Sequence, residues 1–175
     1  MKLTFLSIED LLRFDLIMAT SAYERIWKQD GEKIRHVFKK HTGLKFQQKE
    51  IKVTVHDDVS MSGTLTKPMR LNTRNYTLST KRFALVHELG HRLLSGNQLG
   101  SREEDEQKYI DEEHRRLYLF EGDVIKELYG PEIFHEWSQC NHDDANEPFD
   151  WAYALSAQER KQKLKHLIAT DKLLI

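Results

Sequence analysis

The sequence contains nine histidines, and two of them belong to a pattern that suits metal-dependent hydrolysis. His87, Glu88 and His91 form the pattern His-Glu-x-x-His. Residues four positions apart on a helix point to the same side, so both imidazoles can bind one Zn²⁺ at about 2.0–2.1 Å. Glu88 lies next to this ligand face, where it can accept a proton from a zinc-bound water without being a ligand itself.

The residues around this pattern predict that it lies on a buried helix. The helix is apolar on nearly all sides, through Phe83, Ala84, Leu85, Val86, Leu89, Leu93 and Leu94. Two histidines and a glutamate on such a helix need partners, because an unpaired buried charge costs several kcal/mol. A metal ion with a water molecule would satisfy all three groups. The alternative is a His–Glu pair satisfied within the core of a purely structural helix.

A catalytic zinc has three protein ligands and an open position, so a third ligand must come from elsewhere. The next predicted helix, 101–129, has an apolar stripe made by Ile110, Leu117, Val124, Ile125 and Leu128. Helical geometry places His114 within about 40° of the centre of this stripe, Glu121 within about 20° and Glu113 at about 60°. We select His114, because a neutral imidazole suits zinc and it lies nearer to the motif than Glu121. Glu113 and Glu121 stay open as alternatives.

Capping residues and hydrophobic periodicity divide the rest of the chain into helices, a small sheet and further helices. A first helix is predicted to begin at Ser7, and further helices cover 21–27, 31–41, 81–95, 101–129, 132–138 and 156–168. Gly43 is predicted to end the third helix, Ser79 to cap the helix at 81–95, and 141–148 to form a polar loop. The sheet lies within 44–78, with a strand at 51–55 and one or two short strands near 65–71. We therefore predict one α+β domain over 1–175, with N-terminal helices in 1–43, a metal-binding core in 44–130 and C-terminal helices in 131–175.

Composition narrows the possible classes of protein. The 175 residues include 27 Lys and Arg against 28 Asp and Glu, so the chain lacks the basic field of a general nucleic-acid-binding protein. The single cysteine, Cys140, excludes an intramolecular disulfide and a Cys-rich zinc finger. No apolar run approaches the roughly 20 residues that a bilayer requires, and no signal-peptide pattern is present, which predicts a cytoplasmic protein without a membrane partner.

The segment that leads into the metal motif resembles the strand-to-helix core of ImmA/IrrE-type zinc metallopeptidases. The resemblance rests on Arg70-Leu71-Asn72 and on the run from Ser79 to His91, and it covers about residues 44–130. It implies a minimal zincin fold, in which a small, mostly antiparallel sheet packs on the motif helix and a following long helix supplies the third ligand. From the family pattern we carry over only His87 and His91 as zinc ligands and Glu88 as general base.

The chain departs from the family pattern in the helix that supplies the third ligand. Family members have an acidic residue there, followed by small residues and a Phe-Ala pair, whereas segment 113–120 reads Glu-His-Arg-Arg-Leu-Tyr-Leu-Phe. The flanking segments also do not match a helix-turn-helix, so the sequence predicts no fused DNA-binding module.

Taken together, the motif and the resemblance predict a zinc-dependent metallopeptidase. The resemblance implies that its substrate is a regulatory protein, such as a repressor, an antitoxin-like partner or a helix-turn-helix regulator encoded nearby. Strand 51–55 or segment 64–71 is predicted to bind an extended peptide by strand addition. The alternatives are a catalytically silent binding module with a structural metal, and a toxin or amidase on the same fold.

Two supporting roles have candidates in the sequence. Asp123 is a candidate for orienting a ligating histidine through a hydrogen bond. The candidates for stabilising an oxyanion are Tyr76, Tyr109, Tyr118, Tyr129, His135 and His142.

Overall fold

The computed structural model describes residues 1–6, 13–62, 65–74, 77–101, 104–143 and 146–172. Within these residues the element order is β1 (Lys2–Phe5), α1 (Phe14–Thr42), β2 (Glu50–His56), β3 (Met69–Asn72), α2 (Leu78–Gly96), α3 (Glu106–Tyr118), α4 (Glu121–Tyr129), α5 (Pro131–Asp143), α6 (Glu147–Tyr153) and α7 (Ala157–Lys172). The predicted α+β class is confirmed. No helix in the described ranges has both the length and the apolar composition needed to cross a membrane.

The sheet is parallel, so the expectation of a mostly antiparallel sheet is wrong. Its strand order is β1-β2-β3, with Leu3 opposite Ile51 and Val53 opposite Met69. The sequence analysis missed β1, and α1 is the crossover that lets β1 and β2 run in the same direction. An antiparallel pair occurs outside the named strands, as an isolated bridge between Met61 and Arg70.

Helix α1 is one continuous helix where the sequence predicted separate helices at 21–27 and 31–41. Gly31 does not interrupt it. A Cβ atom at this position would lie 2.7 Å from the indole of Trp27, so the glycine makes room for that ring. The predicted stop at Gly43 is confirmed, since this residue has a φ of 74° and donates its N–H to the carbonyl of Lys39. The helix start predicted at Ser7 lies outside the described residues.

Helix α2, which carries the His-Glu-x-x-His motif, runs through the centre of the core. The predicted helix at 81–95 is confirmed with slightly different ends, because Thr77 and Thr80 form the capping box instead of a cap at Ser79. Its predicted apolar side chains are buried except for Ala84, which is half-buried, whereas Leu78 at the helix start is exposed. The helix packs against α1, β3, α3, α4 and α5. The motif is therefore enclosed on several sides by other elements.

The single long helix predicted over 101–129 is wrong, because the chain forms α3 and α4 with a break at Leu119 and Phe120. Four consecutive residues, from Leu117 to Phe120, are all buried. Consecutive residues on a regular helix point about 100° apart, so one straight helix cannot bury four in a row against a single surface. The break allows all four residues to be buried, and it places the Phe120 ring edge-on to Phe38, with centroids 6.0 Å apart.

The C-terminal helices are longer than the sequence indicates. Helix α5 extends the prediction at 132–138, and α6 begins inside the stretch 141–148 that reads as a loop. The predicted last helix is confirmed at its start, where Ser156 and Glu159 exchange capping hydrogen bonds. Buried apolar residues from Leu3 near the N-terminus to Leu164 in α7 belong to one core cluster.

The close approach of α2 and α3 generates a stability prediction. A Cβ atom at Gly90 would lie 2.3 Å from Cδ1 of the fully buried Leu117. We expect Gly90→Ala to lower the free energy of unfolding by about 1–3 kcal/mol through overpacking. Gly96→Ala on the same helix is the matched control, because its Cβ would meet nothing closer than 3.7 Å. Urea unfolding of both variants checks the prediction, and equal effects would contradict it.

Candidate metal centre

Three histidines from two helices come together beside the core. His87 and His91 lie one turn apart on α2, and His114 approaches them from α3. One ring nitrogen from each residue lies within 4.8 Å of the other two. The ring centroids of the three pairs are 4.8, 5.3 and 5.0 Å apart. The residue selected as third ligand from the sequence thus lies with the motif pair.

The Nδ1 atom of each histidine is directed at an oxygen atom outside the cluster. His87 Nδ1 lies 3.2 Å from Glu121 Oε1, His91 Nδ1 lies 3.6 Å from Glu113 Oε2, and His114 Nδ1 donates to the Ile110 carbonyl at 2.8 Å. A histidine with its Nδ1 engaged in this way presents Nε2 as the free lone pair, which is the arrangement around protein-bound metals. The three Nε2 atoms are therefore left as the potential ligands.

The spacing of the two motif nitrogens and the neutral state of two of the rings fit zinc. His87 Nε2 and His91 Nε2 are 3.2 Å apart, close to the edge of about 3.3 Å that a tetrahedron with zinc–nitrogen bonds of 2.0–2.1 Å would have. Burial lowers the pKa of both His87 and His114 to about 4, so these rings are neutral at pH 7. A neutral imidazole is the form that binds a metal, and a cation would satisfy ring nitrogens that face one another.

The acidic residues around the histidines also favour a bound cation. Glu88 is 4% exposed and Glu121 is fully buried, and burial raises the pKa of each to about 8. Arg92 lies close enough to Glu88 to lower its pKa in part. A divalent ion among the histidines would offset the cost of ionising both carboxyl groups in this buried region.

Glu121 and Glu113 lie behind the histidines, on the side away from the shared Nε2 atoms. Glu121, the first residue of α4, contacts His87 and accepts a hydrogen bond from Trp137. Glu113 contacts His91 and accepts the backbone N–H of Ser101. The sequence analysis weighed both residues as ligands and did not predict their contacts with the histidines. An inward position on the apolar stripe is expected both for a metal ligand and for a residue that contacts a ligand, so it could not separate the two.

The orienting role suggested for Asp123 is not what the structure shows. Asp123 pairs with Arg160, whose guanidinium lies 3.1 Å from its carboxylate. Glu121, two residues earlier in the same helix, makes the contact that the sequence assigned to Asp123. The sequence therefore selected the correct helix turn and the wrong carboxylate.

Of the residues proposed for an oxyanion, Tyr118 lies nearest to the cluster. Its ring centroid is 6.3 Å from that of His87 and 6.0 Å from that of His114. Its hydroxyl donates to Asn141 and accepts from Asn146, so it is directed away from the histidines. His135 and His142 line a separate cavity between α5 and α6. Tyr76 lies outside the described residues.

The predicted strand addition needs an outer strand next to the motif helix. The segment 51–55 belongs to β2, which lies between β1 and β3, so it is not an edge strand. The segment 64–71 contains the start of β3, which is an outer strand of the sheet and packs directly against α2. The outer edge of β3 is therefore the edge beside the motif at which strand addition would occur, and Met61 already pairs with Arg70 there.

No protein-family model, curated protein or solved structure matches this chain. The resemblance to ImmA/IrrE-type metallopeptidases therefore stays a prediction from the motif residues. A functional argument must rest on the geometry and chemistry of the histidine cluster itself.

Removing the third histidine provides the first test of the cluster. We expect the wild-type chain to retain one zinc ion after dialysis and His114→Ala to lose it, because two imidazoles on one helix turn make an incomplete site. His135→Ala is the control, since His135 is exposed on α5 and lies in the other cavity. Metal content per chain is measured by elemental analysis. Full retention of zinc by His114→Ala would exclude His114 as a ligand.

The supporting contact from Glu121 gives a second prediction. We expect Glu121→Ala to weaken zinc binding by roughly 10- to 100-fold, because His87 loses the partner that orients its ring. Glu136→Ala on the exposed side of α5 is the matched control and should leave the affinity unchanged. Competition with a chromophoric chelator measures both affinities. An unchanged affinity in Glu121→Ala would show that the contact does not support the site.

Proposed function

We propose that this chain is a zinc-dependent metallopeptidase with a minimal zincin-type core. The observation that carries the proposal is the convergence of one ring nitrogen from each of three histidines, with a buried glutamate next to His87 in the motif. His87, His91 and His114 are the proposed ligands and Glu88 the general base. Three protein ligands with an open fourth position are typical of catalytic zinc, whereas structural zinc is closed by four.

The protein residues would bind the ion and transfer the proton during hydrolysis. When bound, zinc supplies a Lewis acid that polarises a carbonyl and lowers the pKa of a water to about 7. Glu88 accepts a proton from the attacking water and then donates it to the leaving amine. Burial raises the pKa of Glu88 and a bound cation would lower it again, so the carboxylate can accept a proton and then release it. Glu121 and Glu113 hold the His87 and His91 rings in place.

The proposed substrate is an extended segment of a protein. The outer edge of β3 offers backbone groups for strand addition next to α2, which carries the ligands. The family resemblance in segment 70–91 favours a regulatory protein as the partner, such as a repressor or an antitoxin-like protein. The cytoplasmic location predicted from the sequence would place the chain in the same compartment as such a regulator.

A second candidate function is a binding module that retains the metal but does not hydrolyse. The observation that favours it is the position of Glu88, which is only 4% exposed and has the backbone amide of Ser62 against its carboxylate. In this arrangement the base is not open to a substrate water. The enzyme is the better supported reading, because a purely structural metal site has no use for an acid beside its ligands.

Glu88→Gln separates the two candidates. We expect this variant to bind zinc like the wild type and to lose roughly 10²- to 10⁴-fold in the rate of peptide hydrolysis, because an amide cannot accept the proton. The assay uses fluorescein-labelled casein with zinc-loaded protein, and zinc content is measured on the same samples. Glu136→Gln is the surface control. If both proteins bind zinc and hydrolyse at equal rates, the assigned mechanism is wrong; if neither hydrolyses, the binding module is favoured.

A further inference from the structure

The outer edge of β3 is covered by another part of the same chain. After β2 ends, the segment Asp57–Ser62, which we call the strap, runs beside β3. Met61 and Arg70 form an antiparallel bridge, in which the Met61 N–H donates to the Arg70 carbonyl at 3.0 Å and the Arg70 N–H donates to the Met61 carbonyl at 2.8 Å. The strap thus uses the same backbone groups that an added peptide strand would use.

Side chains hold the strap at both ends of this bridge. Ser60 Oγ accepts the backbone N–H of Asn72 at 3.0 Å, and Asp58 lies 3.1 Å from the Arg70 guanidinium. At the base of the strap, Asp57 lies 2.8 Å from the guanidinium of Arg13, just before α1. The amides of both Arg70 and Asn72 are therefore occupied, and these are the outward-directed donors of β3.

The strap also reaches the proposed general base. The backbone amide of Ser62 lies against the Glu88 carboxylate. The preceding carbonyl, that of Met61, accepts from Arg70 and is therefore directed at β3 instead of the histidines. The strap thus pairs with β3 as an extended peptide would, but its Met61 carbonyl is not presented to the metal ligands.

The strap is held by few contacts and buries little apolar surface. The two apolar side chains in it are exposed, Val59 at 69% and Met61 at 54%. Exposed ion pairs such as Asp57–Arg13 and Asp58–Arg70 contribute little to stability. A competing peptide could form the same backbone hydrogen bonds with β3 and bury its own side chains in addition. Replacement of the strap by such a peptide would therefore cost little free energy.

We propose that the strap is an intramolecular occupant of the β3 edge, and that an extended peptide must displace it to reach Glu88. This inference rests on the proposed peptidase function and adds its regulation: the resting protein is self-blocked. A partner that pulls the strap from β3 would raise activity without changing the metal centre. Because the strap and the substrate compete for β3, substrates that pair along β3 in an extended conformation are favoured.

The test compares Met61→Pro with Met61→Ala in the full-length, zinc-loaded protein. Proline removes the N–H that donates to the Arg70 carbonyl, whereas alanine retains it and removes only an exposed side chain. Ser60→Ala is a second loosening variant, because it removes the acceptor for the Asn72 N–H. Zinc content and the midpoint of thermal unfolding identify any variant that fails to fold.

Two readouts are measured for each variant. Amide hydrogen exchange at Arg70 and Asn72 reports whether the strap covers the edge, and hydrolysis of fluorescein-labelled casein reports access to the site. We expect faster exchange and a roughly two- to tenfold higher kcat/KM in Met61→Pro and Ser60→Ala, the factor that loss of one hydrogen bond gives. Met61→Ala should match the wild type, and adding Glu88→Gln should silence every variant.

The failure of this inference can be told from the failure of the proposed function. If exchange accelerates but Glu88-dependent hydrolysis does not, the strap does not control access, although the chain is a peptidase. If the Arg70 amide exchanges in the wild type as fast as in Met61→Pro, the strap does not cover the edge. If no variant hydrolyses casein in a Glu88-dependent way, the proposed function is overturned and the regulatory inference with it.

Discussion

The structure depends on the need to satisfy three partly buried imidazoles that lie between α2 and α3. An unpaired polar group in such a position would cost more than most single contacts contribute to stability. Each Nδ1 atom has an oxygen atom beside it, from Glu121, Glu113 or the Ile110 carbonyl. These contacts bring side chains of α3 and α4 against the histidines of α2, where His87 Nε2 and His91 Nε2 face one another. A divalent ion would interact favourably with these nitrogens.

The break between α3 and α4 makes this arrangement possible. On one straight helix His114 and Glu121 would be separated by about 10 Å along the axis, so both could not serve the same cluster. The break at Leu119 and Phe120 redirects the chain, so that α3 presents His114 to the motif pair and α4 presents Glu121 to His87. Packing of the buried break residues in the core thus determines the geometry of the site.

The β3 edge connects the metal centre with the regulation proposed for it. Arg70 and Asn72 belong to the short strand that packs on α2, and the strap takes up their outward-directed amides. A parallel sheet of three strands leaves such an edge, and a protein that processes extended chains needs it free only while substrate is bound. The proposed self-coverage by Asp57–Ser62 would resolve this conflict, because it would block both unwanted strand pairing and access to Glu88.

The sequence by itself determined the features that depend on neighbours along the chain. The helical period places His87 and His91 on one face of α2, alternation identifies β2, and local capping identifies the stop at Gly43 and the start of α7. It predicted an inward position for His114, and the structure brings this residue to the motif pair, although on the short α3 and not on one long helix. The tertiary structure alone decided the parallel direction of the sheet, the break at Leu119 and Phe120, and the supporting roles of Glu121 and Glu113. These features follow from packing and hydrogen bonds between residues that are far apart in the chain. Local periodicity cannot predict them, because it depends only on neighbouring residues.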